Sequence, residues 1–377
     1  MFLNWRIKLQ KAMKILFMII LLIHGLIHIL GFMKAFLLAE LNELTNPISK
    51  PMGLLWLLAT LVFLTAGILL FFKNPLWWFP AIVSVLISQM LIFIFWKDSL
   101  YGTFPNILIL VVSLIGFAHF NFERKIKEEV SYILEKVPVG SSIAISLDDI
   151  STLPIPVQTW MKVSGIIGKE PIKSVYMKQN YLIKLKPEQK DWYSASAEQY
   201  STVRPPSFVW KAELEMMPFI SAFGRDKFID GEGEMVFKLF SVFAVANDGH
   251  NSQINEAALQ RFLGEIAWYP SAALGNNITW ESIDGHSAKA TLTIDGLSGS
   301  GIFTFDQDGH PMSFSAMRYQ GSGLEAKRIE WVVTLTTRKD FEGIIIPTEG
   351  ELTWKMSTGD WNWAKFEIME YSYNPKQ

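Results

Sequence analysis

Cysteine is missing from all 377 residues. Its absence removes disulfide bonds, thiolate nucleophiles and cysteine-ligated metal sites together. It leaves the compartment undecided, because a chain without thiols suits either side of a membrane. Charge is scarce as well: Asp, Glu, Lys and Arg make up 19% of the residues against 50% hydrophobic, and they balance to a net −2. A near-neutral chain with no basic stripe is a poor partner for nucleic acid. A glycine-rich phosphate loop and a Gly-x-Ser-x-Gly nucleophile elbow are also missing, so no cofactor and no common nucleophile is signalled.

What is present is unevenly spread. Nearly everything from Ile15 to Phe120 is hydrocarbon-like, whereas charges are scattered through the remainder. Four stretches are long enough for a transmembrane helix, which needs about 20 apolar residues: Ile15 to Leu37, Leu54 to Phe72, Leu76 to Trp96 and Phe104 to Phe120. The first follows Arg6, Lys8, Lys11 and Lys14 as a signal peptide would, but no small-x-small cleavage pattern follows it, so it reads as a retained span. Those four basic residues precede the first span, and Arg124, Lys125 and Lys127 follow the last. Lys and Arg in short flanks stay cytoplasmic, so both ends of the membrane region are expected there. The outer loops, with Glu40 and Glu43 against Lys50 and with Lys97 beside Asp98, do not compete. Trp56, Trp77, Trp78 and Trp96 sit near span ends, at headgroup level.

Small or polar residues share a face in each span: His24, His28 and Gly31; Gly53, Thr60 and Gly67; Ser84 and Ser88; Asn106 and Ser113. Such stripes face other helices, since lipid offers no hydrogen bonds. In LLIHGLIHIL, residues 21–30, His24 and His28 lie one turn apart. Counted along the helices at about 1.5 Å per residue, His28, Gln89 and Thr60 reach similar depth, so His24, His28, Thr60 and Gln89 are expected to form a buried polar cluster. Two histidines on one helix cannot take opposite axial positions of one haem iron, and a divalent metal would need a further ligand at that depth. Neutral imidazoles hydrogen-bonded across helices and a proton or ion path both remain open.

Residues 123–150 turn charged and then break at Pro138 and Gly140, a connector helix and linker between a membrane domain (1–122) and a soluble domain (151–377). From Val175 onward the pattern alternates with period two, the mark of half-buried antiparallel strands. In FVWKAELEM, Phe208, Trp210, Ala212, Leu214 and Met216 face one way while Lys211, Glu213 and Glu215 face the other. Further strands are expected at 193–200, 235–243, 288–294, 301–305, 312–319, 329–336, 349–356 and 361–373, with hairpin corners at Asp-Gln-Asp-Gly 306–309 and Asp-Phe-Glu-Gly 340–343. One segment differs: from Asn255 to Trp268, Leu259, Phe262, Leu263 and Ile266 recur at helical spacing, Arg261 and Glu265 pair opposite, and Pro270 stops the helix. Such a helix beside a large sheet covers its concave face. The expected fold is therefore a four-helix transmembrane bundle joined to an α+β domain built on a large curved antiparallel sheet.

Several stretches carry a resemblance: LPIPVQTWM at 153–161, RPPSFVW at 204–210, GRDKFIDGEGEM at 224–235, LQRFLGEIAWYPSAAL at 259–274 and ELTWKM at 351–356, with IHGLIHILGF at 23–32 and SQMLIFIFWKDSLYGTFPN at 88–106 in the membrane half. Together they resemble a widespread bacterial family known only as a domain of unknown function, whose longer members carry the membrane region too. The resemblance covers nearly the whole chain and implies no activity. The soluble part is similar to the open β half-barrel of lipoprotein carriers, which implies an apolar binding groove by analogy of fold alone.

Asp-Gly-His occurs at 248–250, 284–286 and 308–310. Gathered at one end of the sheet, His250, His286 and His310 would make a three-histidine metal site; as hairpin corners followed by a histidine they need no metal, and that reading is preferred. Arg225 and Asp226, with Asp230, Glu232 and Glu234 behind them, suit either acid–base chemistry in a cleft or a solvated strand and turn. Glu265 among Trp268 and Tyr269 suits a carboxylate of raised pKa or a salt bridge to Arg261. The candidate ligand-facing set is Phe262, Trp268, Tyr269, Trp210 and Trp280; Trp210, Trp268, Trp280, Trp331 and Trp354 read mostly as core, yet a groove lined with such residues would suit an apolar or amphipathic small ligand, with membrane lipids as the other partner. A binding module for such a ligand, an enzyme acting on it through Glu265, Arg225 and Asp226, and a non-catalytic assembly or sensing module are the three functions in contention.

Overall fold

The structure, a computed structural model, describes residues 2–42, 44–140, 143–217 and 220–375, with side chains from residue 12 onward. Glu43 and the side chains of Arg6, Lys8 and Lys11, weighed above for orientation, lie outside the described residues. The chain divides into two compact units, Met1–Lys125 with Phe240–Val242, and Ile126–Leu239 with Phe243–Gln377.

The first unit is helical: α1 (Phe2–Ile27), α2 (Ile29–Ala35), α3 (Lys50–Phe71), α4 (Trp78–Ile94), α5 (Trp96–Ser99) and α6 (Thr103–Glu135), whose last residues belong to the second unit. Among the described residues three segments are long and apolar enough to cross a membrane: Ala12–Ala35, Lys50–Phe71 and part of Trp96–Glu135. The third of the four expected spans is α4, apolar but only 17 residues long. The small residues of the stripes allow helices to touch. A Cβ on Gly31 would lie 2.2 Å from the Trp56 ring, and one on Gly67 would lie 2.5 Å from Leu22 Cδ2. Here the expected stripes do face other helices.

After the end of α6, the second unit continues with α7 (Ile155–Val163), started by Pro154 and Pro156 and burying Trp160 and Met161. Fourteen further elements follow as strands β1 (Ser174–Ile183), β2 (Tyr193–Thr202), β3 (Ser207–Met217), β4 (Ile220–Ile229), β5 (Glu232–Leu239), β6 (Phe243–Gly249), β7 (Ile278–Ser282), β8 (Ser287–Ile294), β9 (Leu297–Phe305), β10 (Pro311–Gln320), β11 (Lys327–Leu335), β12 (Arg338–Phe341), β13 (Ile344–Pro347) and β14 (Glu349–Met356). The last strand, β15 (Gly359–Tyr373), returns to the middle of the sheet to pair with β1. Thirteen strands form one sheet in the order β6-β5-β4-β3-β2-β1-β15-β14-β11-β10-β9-β8-β7, while β12 and β13 make a separate hairpin.

Helix α8 (Ser252–Glu265) shows how far this sheet curls. It contacts β4, β5 and β6 near one edge and β8, β9 and β10 near the other. A flat sheet could not reach the same helix from both ends, so it wraps around α8 as a half-barrel. Glycine permits the approach on each side: a Cβ at Gly233 of β5 would lie 2.8 Å from Ala258 Cβ, and one at Gly299 of β9 would lie 2.7 Å from Leu259 Cδ2. The helix starts earlier than the sequence suggests because Asn251 caps it, its Oδ1 accepting from Ile254 N at 2.9 Å.

Two expectations need correction. The strand expected at 235–243 breaks after Leu239, where Phe240 and Ser241 take φ of 53° and 60°. Of the two readings of GRDKFIDG, strand and turn is the one found, as the second half of β4 and its hairpin corner with Asp230 and Gly231 at φ 53° and 79°, but the strand is not solvated, since Arg225 is buried. The Asp-Phe-Glu-Gly corner does turn β12 into β13 through Glu342 and Gly343, both at positive φ.

Candidate functional site

Arg261 projects from α8 into a polar knot inside the half-barrel. Its Nε donates to Glu265 Oε1 at 2.7 Å, its Nη1 to Asp226 Oδ2 at 2.5 Å and its Nη2 to Gln199 Oε1 at 3.0 Å. Gln199 closes the ring by donating from Nε2 to Glu265 Oε2 at 2.6 Å. The guanidinium lies over Phe208, 4.5 Å from the ring centroid, and near Trp210. Burial pushes the Glu265 carboxyl above its ordinary range, and the Arg261 charge pulls it only partly back. Burial also opposes the charge on Arg261, but Glu265 and Asp226 outweigh it and hold the group protonated. Every charged group in this knot is spoken for, which makes it a structural strut between α8, β2 and β4.

Arg225 is elsewhere. Successive residues of a strand point to opposite faces, so it leaves the other side of β4, 1% exposed, with Nη1 2.5 Å from Glu129 Oε1 of α6 and Nη2 paired to Glu234. Of the three candidate catalytic residues, the fold brings Glu265 and Asp226 together through Arg261 and sets Arg225 apart.

The aromatic set is core. Phe262, Trp268, Tyr269 and Trp210 are buried, and Trp280 is half-buried with its Nε1 donating to Ala273 O at 3.0 Å. Phe262 packs 5.6 Å from Tyr269, Trp268 edges onto Phe366 at 5.4 Å, and Trp210 edges onto Tyr181 at 5.8 Å. The three histidines of the Asp-Gly-His corners do not gather: His250 follows β6 at one edge of the sheet, whereas His286 and His310 lie at the β7–β8 and β9–β10 turns. Asp284 and Asp306 cap those two turns through the backbone N–H groups of His286 and His310. Among the described residues no group of three or more His, Asp or Glu could hold a metal ion.

A groove lies at a place the sequence does not mark. Strands β9 and β10 pair from Phe305↔Pro311 to Ile302↔Ser315 and then part. Beyond that point β9 stays paired to β8 as far as Leu297, and β10 stays paired to β11 as far as Gln320. The resulting fork holds a groove of about 470 Å³, walled by Ser298–Ile302 and Ser315–Met317, floored by Glu256 and Gln260 of α8, and rimmed by Lys289, Arg328 and Glu330. Gln260 is 2% exposed, and its Nε2 donates to both Ser300 O and Met317 O, at 3.3 and 3.1 Å. Continued in register, the ladder would have placed Ser300 opposite Met317, so one side-chain amide stands where that backbone pair would have met. Gln260 Oε1 is buried without a partner. Arg328 reaches the same wall, bound to Glu256 through Nη1 and Nη2 at 2.6 and 2.7 Å, with Nη1 3.4 Å from Met317 O.

In the helical unit the expected polar cluster exists with a changed membership. His28 interrupts the first span: its N–H bonds Gly25 O at 3.2 Å in place of the α-helical His24 O, and its Nδ1–H donates to that released carbonyl at 2.8 Å. Nδ1 is thereby the protonated nitrogen, so Nε2 accepts from Ser88 Oγ at 2.9 Å. Asn106 donates from Nδ2 to Ser88 Oγ and to Gln89 Oε1, at 2.9 and 3.1 Å, and accepts at Oδ1 from His24 Nε2 at 2.8 Å. Gln89 continues to Thr103 Oγ1 at 3.2 Å. Thr60 is not a member; its hydroxyl donates to Trp56 O of its own helix at 3.3 Å. Ser88 and Asn106 are the centre. Both sit on stripes visible in the sequence, but short polar side chains there read as packing.

A helical region with membrane-length apolar segments, joined to a half-barrel wrapped around one helix, defines the class of protein. Residues 151–373 match a family of unknown function, DUF6920, so the chain belongs to that family. Compared with curated proteins, it finds no match.

Proposed function

We propose that this is a four-span membrane protein with its β domain in the cytoplasm, and that the half-barrel is a binding module for an amphipathic ligand. The fork groove carries the reading. It opens between two parted strands, and Ile302, Ala316 and Met317 beside Ser298, Ser300 and Ser315 suit a ligand with both apolar and polar parts. The Ser298 and Ser300 hydroxyls are held by Thr293 and Thr291, but a wholly apolar lipid tail would leave Gln260 Oε1 unmatched. The aromatic residues expected to line a lipid groove serve instead as close-packed core.

An enzymatic reading has less support, because Glu265 and Asp226 are both bound to Arg261 and neither touches the groove. Four crossings, with α4 as a short span, follow from the basic flanks at both ends of the membrane region, which call for an even number.

Mass spectrometry of lipids, peptides and small molecules retained through purification tests the binding reading. The full chain should carry a ligand that a groove-filling Ser315→Trp variant loses; identical extracts from the two proteins would overturn the assignment.

A further inference from the structure

The groove is bounded by two strand edges that face one another without pairing, residues 297–301 of β9 and 316–320 of β10. In an antiparallel ladder alternate residues turn both N–H and C=O toward the same neighbour. Because Ser300 O and Met317 O are the atoms that meet Gln260, the groups of Ser298, Ser300, Met317 and Tyr319 face the gap. Each edge runs for about 17 Å at about 3.4 Å per residue. Lined up opposite each other, they offer donors and acceptors in the alternation that an extended backbone presents.

The floor points the same way. Gln260 satisfies one carbonyl from each wall with its amide N–H, as a strand between them would, yet its own Oε1 is buried with no donor. A backbone N–H entering the gap is the group it lacks. Charge in the lining cancels: Lys289 and Arg328 stand against Glu256 and Glu330, with Arg328 bound to Glu256 at 2.6 Å. The groove therefore selects a neutral segment by its backbone and has no excess charge with which to select an anion or a cation.

We propose that the fork between β9 and β10 takes one extended, uncharged polypeptide segment, which enters as the missing strand and pairs with both edges. This rests on the reading of the half-barrel as a binding module and names the class of its ligand. Main-chain pairing supplies affinity in such strand addition, and alternate side chains supply selectivity. Side chains turned toward α8 must be small, because Glu256 and Gln260 floor the groove; those turned outward are unrestricted.

The test uses the full chain in nanodiscs, with empty nanodiscs as the blank. A labelled Ser-Val-Thr-Val-Ser-Val-Thr peptide should bind saturably and slow amide exchange at 298–300 and 317–319. The same peptide N-methylated at alternate residues, which cannot complete the ladder, should bind at least tenfold more weakly. Ser300→Pro, which removes one gap-facing N–H while leaving the pairing to β8, should weaken the parent peptide at least tenfold with Tm unchanged. Equal binding of parent and methylated peptides, or exchange unaltered by the parent, overturns the proposal. A labelled lysolipid is run in parallel. If it binds and Ser315→Trp abolishes that binding while the peptide is silent, the peptide class falls and the binding module stands; silence from both probes removes both.

Discussion

Arg225 and Asp226 are adjacent in sequence and serve opposite faces of β4. The guanidinium meets Glu129 Oε1 at 2.5 Å on one side, and the carboxylate meets Arg261 Nη1 at 2.5 Å on the other. A single strand thus ties α6 and α8 to the sheet, one with each of two consecutive residues. Two residues that share no space cannot share a reaction.

Removing the outer tie should be expensive. Arg225→Ala strands Glu129 and Glu234, although Lys227, 3.2 Å from Glu129 and 3.3 Å from Glu234, keeps part of the compensation. Breaking a buried pair from one side costs about 3–5 kcal/mol. Urea unfolding of the purified full chain should show a loss toward the lower end of that range, and a midpoint within error of wild type would refute the strut.

The inner knot yields a pH signature. Burial raises the folded-state pKa of Glu265 above its ordinary 4.5, so the fold holds that proton more tightly than the unfolded chain does. Stability then rises as pH falls through the folded pKa toward the unfolded one, and the cost of the ionised form is complete above both. Arg261→Met removes the charge that pulls Glu265 back, raising the folded pKa further. The deficit of this variant relative to wild type should shrink as pH is lowered from about 8 to about 5; a deficit independent of pH would assign it to lost packing alone.

Phe262 is 1% exposed and packs against Tyr269 between α8 and the sheet. Phe262→Asp should destabilise the second unit by several kcal/mol, roughly the 3–5 expected for an unpaired buried charge or a lost core aromatic. An unchanged unfolding transition would mean that α8 does not fill the concavity.

Much of this is legible in the sequence, for physical reasons that also mark the limit. FVWKAELEM exposes β3 because one face meets the core and the other meets water. β4 stands in the sequence only as one of two readings because both its faces are covered, Arg225 under α6 and Asp226 under α8, and two-sided burial with charged residues destroys the alternation. Leu259, Phe262 and Ile266 reveal α8, and the Arg261–Glu265 pair follows from their spacing. Gln199 and Gln260 do not stand out, although each is a polar residue at an apolar-facing position, and that mismatch is the available signal. The fork itself leaves no trace in residues 297–320, since strands that part keep the same alternation as strands that pair.

The proposed orientation rests on charge near the ends of the helical region, Lys14, Arg124, Lys125 and Lys127 among it. A reporter fused after Gln377 should behave as cytoplasmic, and the β domain should resist protease in intact spheroplasts. Cleavage there would reverse the orientation and give the groove partners on the other side of the membrane.

The polar cluster in the helices makes the last prediction. His28 is held by Ser88, not by Gln89 as its depth along the helix suggests, and Ser88 also accepts from Asn106, so one hydroxyl joins three helices. Interhelical hydrogen bonds in lipid contribute only about 0.6 to 2 kcal/mol each. Ser88→Ala removes two such bonds and should lower the unfolding midpoint in detergent more than Gln89→Leu. Thr60→Val, whose hydroxyl bonds only within its own helix, should be close to neutral. His28→Asn separates the structural role from an ion path: Asn cannot both bind the His24 carbonyl through the position of Nδ1 and reach Ser88, so a modest loss of stability is expected. Proton flux in proteoliposomes that is present in wild type and lost in His28→Asn would show that the cluster conducts. Equal flux in both, with only the stability changed, would leave it as the bond that holds the broken first span to its neighbours.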